Sequence, residues 1–182
     1  SFTLRPTLNT GIRWTSNSDS SANGRPAILS ETSLRLRADS NWSRHKLGFE
    51  ATGTWQKSVS GAETNDPEAG LAADFELDLS EATKVNGALG WNLSKESASA
   101  PAAVTGALTQ PDLHRLTGSL GIFHEIGPIG LRLRTILERS AYGDATDALG
   151  ATVSQEDRNN NFAGLTLRAG YEISPAITPF VE

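Results

Sequence analysis

Residues 71–93 constrain the fold more than any other part of the chain, because apolar and polar side chains alternate there on both sides of Ser80-Glu81-Ala82. The apolar positions of the two arms are Leu71, Ala73, Phe75, Leu77 and Leu79, then Val85, Leu89, Trp91 and Leu93. A period of two residues is that of a β-strand and not of a helix. The sequence therefore predicts a hairpin that turns at Glu81.

Symmetry about Glu81 also predicts which residues of the hairpin face each other. The expected cross-strand pairs are Leu77 with Val85, Leu71 with Trp91, Phe75 with Gly87, and Asp78 with Lys84. One face of the hairpin is then apolar and the other is charged. A soluble sheet buries such an apolar face against a second layer, whereas a membrane barrel turns it towards lipid.

The rest of the chain repeats this alternation, which predicts eight strands and the start of a ninth. No run of 18 apolar residues exists, so no transmembrane helix is predicted. The connections alternate in length. Short turns are expected near Arg44, Glu81, Gly127 and Pro175, and long polar connections near Ser20, Thr64, Ala102 and Thr146. The connection near Ser20 contains the turn signal Asn23-Gly24, and the connection near Thr64 runs from Lys57 to Glu68 and includes Asp66-Pro67. Such an array of similar hairpins is one architecture rather than several domains.

The alternation of short and long connections favours a barrel over a sandwich. Outer-membrane barrels have short periplasmic turns and long external loops, and a sandwich has no reason to segregate them. The residues expected to face lipid or to form an aromatic girdle are Trp14, Trp42, Trp55, Phe75 and Trp91. The predicted fold is all-β: an antiparallel, up-and-down transmembrane β-barrel in the outer membrane of a Gram-negative bacterium, with the N-terminus and short turns in the periplasm.

The ninth strand is the reason to expect a larger barrel. It ends at Glu182 after a few residues, without the terminal aromatic residue typical of bacterial barrels, and single-chain bacterial barrels have even strand numbers. The chain begins at Ser1 without a cationic, apolar leader, as expected for a mature protein or a fragment. Residues 1–182 are therefore interpreted as a single, incomplete barrel domain, the N-terminal part of a larger barrel.

Three segments resemble a known family: FTLRPTLNTGIRWTSN, LSETSLRLRADSNWSRH and LRAGYEISPAITPFVE. They are similar to the second type of outer-membrane β-barrel porins, which are widespread in α-proteobacteria, and the resemblance covers nearly the whole chain. It implies a barrel fold, an outer-membrane location and a presumed porin role. The segments are strand patterns rather than catalytic signatures, so the resemblance assigns no functional residue.

The polar face is where function is expected. Its candidate pore-lining residues are Arg5, Arg13, Arg35, Arg37, Asp74, Glu76, Asp78, Arg115, Arg132, Arg134, Glu138 and Arg168. Three of these residues, Asp74, Glu76 and Asp78, form an acidic row on one strand. The row lies between the arginines of the first two strands and those of the sixth and seventh strands. Such an order of charges would create a transverse electric field across a pore and select polar solutes. Alternatively, these charges pair with one another and with water, and merely stiffen or fill the barrel.

Several function classes are disfavoured. Cysteine is absent, so thiolate chemistry and zinc–thiolate sites are excluded. The histidines, His45, His114 and His124, are dispersed and lie in no catalytic motif. No enzyme activity, metal or cofactor is expected. A net charge of −5 gives no reason to expect nucleic acid as a partner.

The sequence leaves three functional interpretations. The first is a porin-like passive diffusion channel for small hydrophilic solutes. The second is a structural or surface-associated barrel whose external loops (Ser16–Leu29, Ser94–Pro111 and Ser140–Asn160) bind a partner or envelope glycan without transport. The third is a soluble β-sandwich binding module. The partners expected for a barrel are outer-membrane lipid or lipopolysaccharide, a further copy of the chain, or an envelope component.

Overall fold

The alternating segments form long strands in the computed structural model, which describes residues 1–18, 24–61 and 65–182. The strands are β1 (Phe2–Thr15), β2 (Ala27–Ser40), β3 (Lys46–Gly61), β4 (Asn65–Asp78), β5 (Thr83–Lys95), β6 (Asp112–Ile126), β7 (Ile129–Tyr142), β8 (Ala145–Thr146), β9 (Thr152–Val153), β10 (Asn160–Tyr171) and β11 (Phe180–Val181). A single 3-10 turn occupies Glu156–Arg158. The described part of the chain contains no helix that is long and apolar enough to cross a membrane.

Nine strands form one antiparallel sheet in the order β1-β2-β3-β4-β5-β6-β7-β10-β11. Each strand of this sheet pairs with the next one along the chain, so the predicted up-and-down topology of eight strands and the start of a ninth is confirmed. Strands β1 and β11 are the two edges, and the described residues do not join them. The separate β8–β9 hairpin was not predicted, because two-residue strands are too short to show alternation.

The hairpin of β4 and β5 has the register that its sequence predicts. Leu77 faces Val85, Leu71 faces Trp91 and Asp78 faces Lys84. The Phe75 ring lies over Gly87, where an added Cβ atom would come within 2.5 Å of the ring. The turn and the alternation together fix this register, since a slip of one residue would move every side chain to the other face.

We expect Gly87→Val to destabilise the folded protein by about 1–2 kcal/mol, because the new side chain competes with the Phe75 ring for one site. Urea unfolding of the protein refolded in lipid vesicles measures the change. Gly118→Ala is the matched control, because a Cβ there meets the Leu89 side chain at an ordinary 3.5 Å. Equal stability of the two variants would contradict the close contact.

The long polar connection predicted near Thr64 is wrong. Strand β3 continues to Gly61 and β4 begins at Asn65, and residues 62–64 lie outside the described part. Pro67, taken from the sequence as a loop residue, is in β4 opposite Trp55. A proline is compatible with this position, because β4 pairs with β5 only from Ala69 onwards and needs no donor towards β5 at Pro67.

The predicted Ser16–Leu29 loop is also shorter than expected, because β2 begins at Ala27 and Leu29 is buried within it. The turn expected at Asn23-Gly24 involves residues 19–23, which lie outside the described part. Trp42, expected on a strand, lies in the β2–β3 connection. Its ring packs against the Phe2 ring, with 5.8 Å between the two ring centres.

The apolar face of the sheet has no protein layer over it within the described residues. Leu89 is 68% exposed and Ile12 is 80% exposed. The sandwich interpretation requires a second layer of this chain over that face, and the described strands instead form one continuous sheet. A face this apolar, open on an otherwise regular sheet, needs an apolar environment or partner outside the chain.

Candidate functional site

The register places all twelve of the predicted charged residues on one face of the sheet. Arg5 is opposite Arg37, Arg132 is opposite Arg168, and the others follow at steps of two residues along their strands. Four of the five residues predicted to face lipid, Trp14, Trp55, Phe75 and Trp91, share the opposite face with the aliphatic side chains. The two faces are therefore chemically distinct along most of the sheet, and the cations Lys57 and Arg139 lie on the apolar face only near its long-connection end.

Ion pairs connect the charged residues of the polar face. They are Arg5 with Asp39 (3.1 Å), Arg35 with Glu50 (2.6 Å), Arg37 with Asp39 (2.8 Å) and Asp74 (2.7 Å), Lys46 with Glu76 (3.4 Å), Lys84 with Asp78 (3.9 Å), and Arg115 with Glu138 (3.4 Å). Most of these partners are on neighbouring strands, so most of the ion pairs are cross-strand pairs.

The Arg37–Asp74 pair crosses a strand. Arg37 is on β2 and Asp74 on β4, and Gly48 of β3 lies between them. A Cβ atom at Gly48 would come within 2.1 Å of the Arg37 guanidinium, so the missing side chain leaves the space that the guanidinium occupies. Arg37 thereby contacts two carboxylates, Asp39 and Asp74.

The acidic row of β4 does not stand as an unpaired negative stripe. Asp74 pairs with Arg37, Glu76 with Lys46, and Asp78 with Lys84. This half of the polar face follows the alternative that the sequence left open, in which the charges pair with one another. Its carboxylate and lysine partners Asp39, Lys46, Glu50 and Lys84 were not predicted as site residues, although their even spacing along the strands already placed them on this face.

On β7 and β10, three arginines of the polar face have no carboxylate partner among the described residues. Arg132, Arg134 and Arg168, on β7 and β10, make no ion pair with any carboxylate in the described part of the chain. The guanidinium of Arg132 instead lies 5.5 Å from the centre of the Phe123 ring, and that of Arg168 lies 3.4 Å from the centre of the Phe180 ring. Sequence reasoning missed both phenylalanines, although Phe123 occupies a polar-face position of β6.

The two described long connections pack against each other at one end of the sheet. The Leu108 amide donates to the Thr146 carbonyl at 2.8 Å, and the Thr146 amide donates to the Thr109 carbonyl at 3.0 Å. Pro111 and Ala145 are buried between the connections. Residues 96–111 and 143–159 therefore form one cluster, which we call the loop cluster.

A salt bridge holds the loop cluster together. Arg158 donates to both carboxylate oxygens of Glu96, and its guanidinium lies 4.2 Å from the centre of the Tyr142 ring. The hydrogen bond with Glu96 raises the pKa of Arg158, although burial acts in the opposite direction. The Glu96 side chain is only 8% exposed and that of Arg158 is 19% exposed. The pair is thus largely removed from water.

A shallow groove of about 950 Å³ crosses the apolar face. Small side chains on neighbouring strands, including Ala38, Ala73, Gly118 and Ala163, form its floor. The groove is lined almost entirely by carbon atoms, a surface on which hydrocarbon chains pack well.

The histidines have structural hydrogen bonds. His45 Nδ1 accepts from the Asp78 amide at 3.2 Å, His114 Nδ1 accepts from the Trp91 indole at 3.3 Å, and His124 Nδ1 contacts the Thr83 hydroxyl at 2.8 Å. Within the described ranges no three His, Asp or Glu side chains come close enough together to hold a metal ion.

Comparison with protein families gave one match. The model of the family described as "Putative beta-barrel porin 2" matches residues 1–182, in agreement with the resemblance found in the sequence. Comparison with curated proteins and with solved structures gave no match.

Proposed function

The chain belongs to the β-barrel porin family whose model it matches, and we propose that it forms a passive diffusion channel for small hydrophilic solutes in the outer membrane of a Gram-negative bacterium. The observation that supports this most is the division of the sheet into one charged and one apolar face. Charged side chains cannot face lipid without a cost of about 2–4 kcal/mol each near the bilayer midplane. The charged face therefore lines an aqueous lumen.

The length of the strands agrees with this arrangement. Strands β1 to β7 have 13 to 16 residues each, and about 9–11 residues are enough for a tilted strand to cross a bilayer. In the proposed orientation, the N-terminus and the short turns are periplasmic and the loop cluster is external. The apolar face and its groove then contact outer-membrane lipid or lipopolysaccharide, or a second copy of the chain.

The open edges of the sheet support a larger barrel. Strands β1 and β11 each have one side without a strand partner in the described residues. Backbone groups within a bilayer must be paired, so these edges require further strands. A barrel of about 16 strands has room for an aqueous channel, whereas about eight strands enclose only their own side chains. We therefore treat residues 1–182 as one domain that forms part of such a barrel.

The loop cluster supports a second candidate function. Its buried Glu96–Arg158 salt bridge gives a defined external surface, and ordered surfaces bind partners with a smaller entropic penalty than flexible loops. In this alternative, the barrel is a surface-associated scaffold whose loops bind an envelope glycan or protein, and no solute passes through it.

Planar-bilayer recording of the whole protein distinguishes the two candidates. The channel is expected to give discrete conductance steps. Under a salt gradient, its reversal potential should show whether cations or anions permeate more easily. A folded barrel without any conductance would overturn the channel and favour the scaffold.

Neutralising the acidic row tests the contribution of the lumen charges. We expect the variant Asp74→Asn, Glu76→Gln, Asp78→Asn to shift the selectivity of the channel towards anions, because Arg37, Lys46 and Lys84 lose the carboxylates that balance them. The reversal potential under a salt gradient measures the shift.

The control for this variant removes three negative charges away from the lumen face. Glu81 lies in an exposed turn, and Glu156 and Asp157 lie in the exposed 3-10 turn. Neutralising these three should leave the reversal potential nearly unchanged. An equal shift in both variants would show that net charge, and not the polar face, sets the selectivity.

A further inference from the structure

Arg132, Arg134 and Arg168, which make no ion pair within the described residues, lie together at the short-turn end of the sheet. Arg132 of β7 and Arg168 of β10 are direct cross-strand partners. Arg134 lies two residues further along β7 on the same face, opposite Thr166. Like charges in directly opposite positions of two strands repel each other. On β2 and β3, by contrast, carboxylates pair with the arginines, as Glu50 does with Arg35.

Two aromatic rings hold this arginine pair in position. Arg132 lies between Phe123 and Arg168 in the cross-strand order, and Phe180 is opposite Gly170, two residues from Arg168. Both guanidinium groups lie over ring faces, at 5.5 and 3.4 Å from the ring centres. A guanidinium stacked on a ring keeps its in-plane N–H groups available, and these are the donors that bind planar oxyanions in pairs.

A cavity of about 260 Å³ lies at the arginine pair. Arg132, Arg168, Phe123 and Phe180 line it, together with residues of the β6–β7 turn. Glu125 and Glu172 also line the cavity, but in the described structure neither makes an ion pair with the two arginines. Their negative charge disfavours large polyanions and leaves room for a small anion with one or two charges.

We propose that Arg132 and Arg168, with Arg134 one row away, form a binding site for a small oxyanion that carries a carboxylate or phosphate group. The anion supplies a direct ion-pair partner, which neither Glu125 nor Glu172 provides for the two arginines, and it accepts hydrogen bonds from the in-plane N–H groups that ring stacking leaves free. The site lies on the face that we assign to the lumen, so the inference rests on the proposed channel for the route by which a solute reaches it.

Anion binding to the whole protein in detergent micelles tests the site without requiring conductance. Inorganic phosphate and succinate are titrated separately by isothermal titration calorimetry, which distinguishes a phosphate site from a carboxylate site. We expect the variant Arg132→Gln, Arg168→Gln to weaken binding of the preferred anion at least about tenfold, since charge-assisted hydrogen bonds are lost. Unchanged binding in this variant, or no binding of either anion to the unchanged protein, would overturn the site.

Matched variants separate the site from net charge and from folding. The variant Arg5→Gln, Arg35→Gln removes the same charge from the same face, at arginines that already have carboxylate partners, and should change affinity less than about twofold. Arg132→Lys keeps the charge but loses the planar, stacked donors, so it should bind more weakly than the unchanged protein. Equal weakening in the Arg5 and Arg35 variant would overturn the site. Binding by a protein that gives no conductance would support the site and overturn the channel.

Discussion

Phe75→Arg is expected to make membrane insertion less favourable by roughly 1–3 kcal/mol, because Phe75 lies three residues from the end of β4 and an arginine that faces lipid costs about 2–4 kcal/mol at the bilayer midplane and about 0–1 kcal/mol near the interface. Phe75 lies on the apolar face, between Leu47 of β3 and Gly87 of β5. The aromatic ring is replaced by a charge that has no carboxylate partner on that face of the hairpin. Urea titration of folding into lipid vesicles, followed by the electrophoretic shift of the folded barrel, measures the loss.

Ala88→Arg is the matched control for this variant. Ala88 is opposite Asp74 in the same hairpin, but on the polar face. The Ala88→Arg substitution adds the same side chain at almost the same depth in the membrane, but next to a carboxylate rather than next to lipid. Asp74→Arg would be a weaker control, because it would leave Arg37 beside a second cation. Equal losses for Phe75→Arg and Ala88→Arg would contradict the assignment of the two faces.

Arg158→Met is expected to loosen the loop cluster by about 3 kcal/mol, because it leaves the Glu96 carboxylate buried without its cation. Hydrogen exchange at the amides of Leu108 and Thr146 measures the change, since both amides donate hydrogen bonds between the two connections. Exchange at these amides should become about a hundredfold faster, whereas exchange in the strands should stay the same.

A double variant tests whether the loss arises from the unpaired charge. Glu96→Gln added to Arg158→Met removes the buried carboxylate and should recover part of the lost protection. Glu156→Gln is the control within the same 3-10 turn, because its side chain is exposed. Unchanged exchange after Arg158→Met would show that backbone contacts alone hold the cluster.

The sequence predicts best what depends on alternation along one hairpin. The register of β4 and β5 follows from the apolar positions and the turn at Glu81, because a register shifted by one residue would bring charged side chains to the apolar face and the turn excludes a shift by two. The same rule assigned the twelve charged residues to one face. These assignments need only local information, since the side-chain direction of a strand residue depends on its position in the strand.

Features that depend on several strands were not predictable in this way. The pairing of Arg37 with Asp74 depends on two registers and on the absence of a side chain at Gly48. The contact of Glu96 with Arg158 joins residues 62 positions apart, and no pattern in either connection indicates it. The polar composition of residues 57–68 predicted a loop, but cross-strand pairing continues through most of that segment.

The extension of β3 also determines how the end of the sheet that we propose to be external meets its surroundings. Sixteen residues at about 3.3 Å each, tilted by roughly 45°, span about 37 Å, whereas the apolar band of such barrels is about 25 Å tall. Lys57 follows Trp55 on the apolar face of β3, and in the proposed arrangement it marks where that band ends. In the proposed orientation β3 continues beyond Lys57 paired with the start of β2, from Ser58 opposite Leu29 to Gly61 opposite Ala27, so an antibody or a bacteriophage that approaches the cell would meet the paired ends of β2 and β3 there.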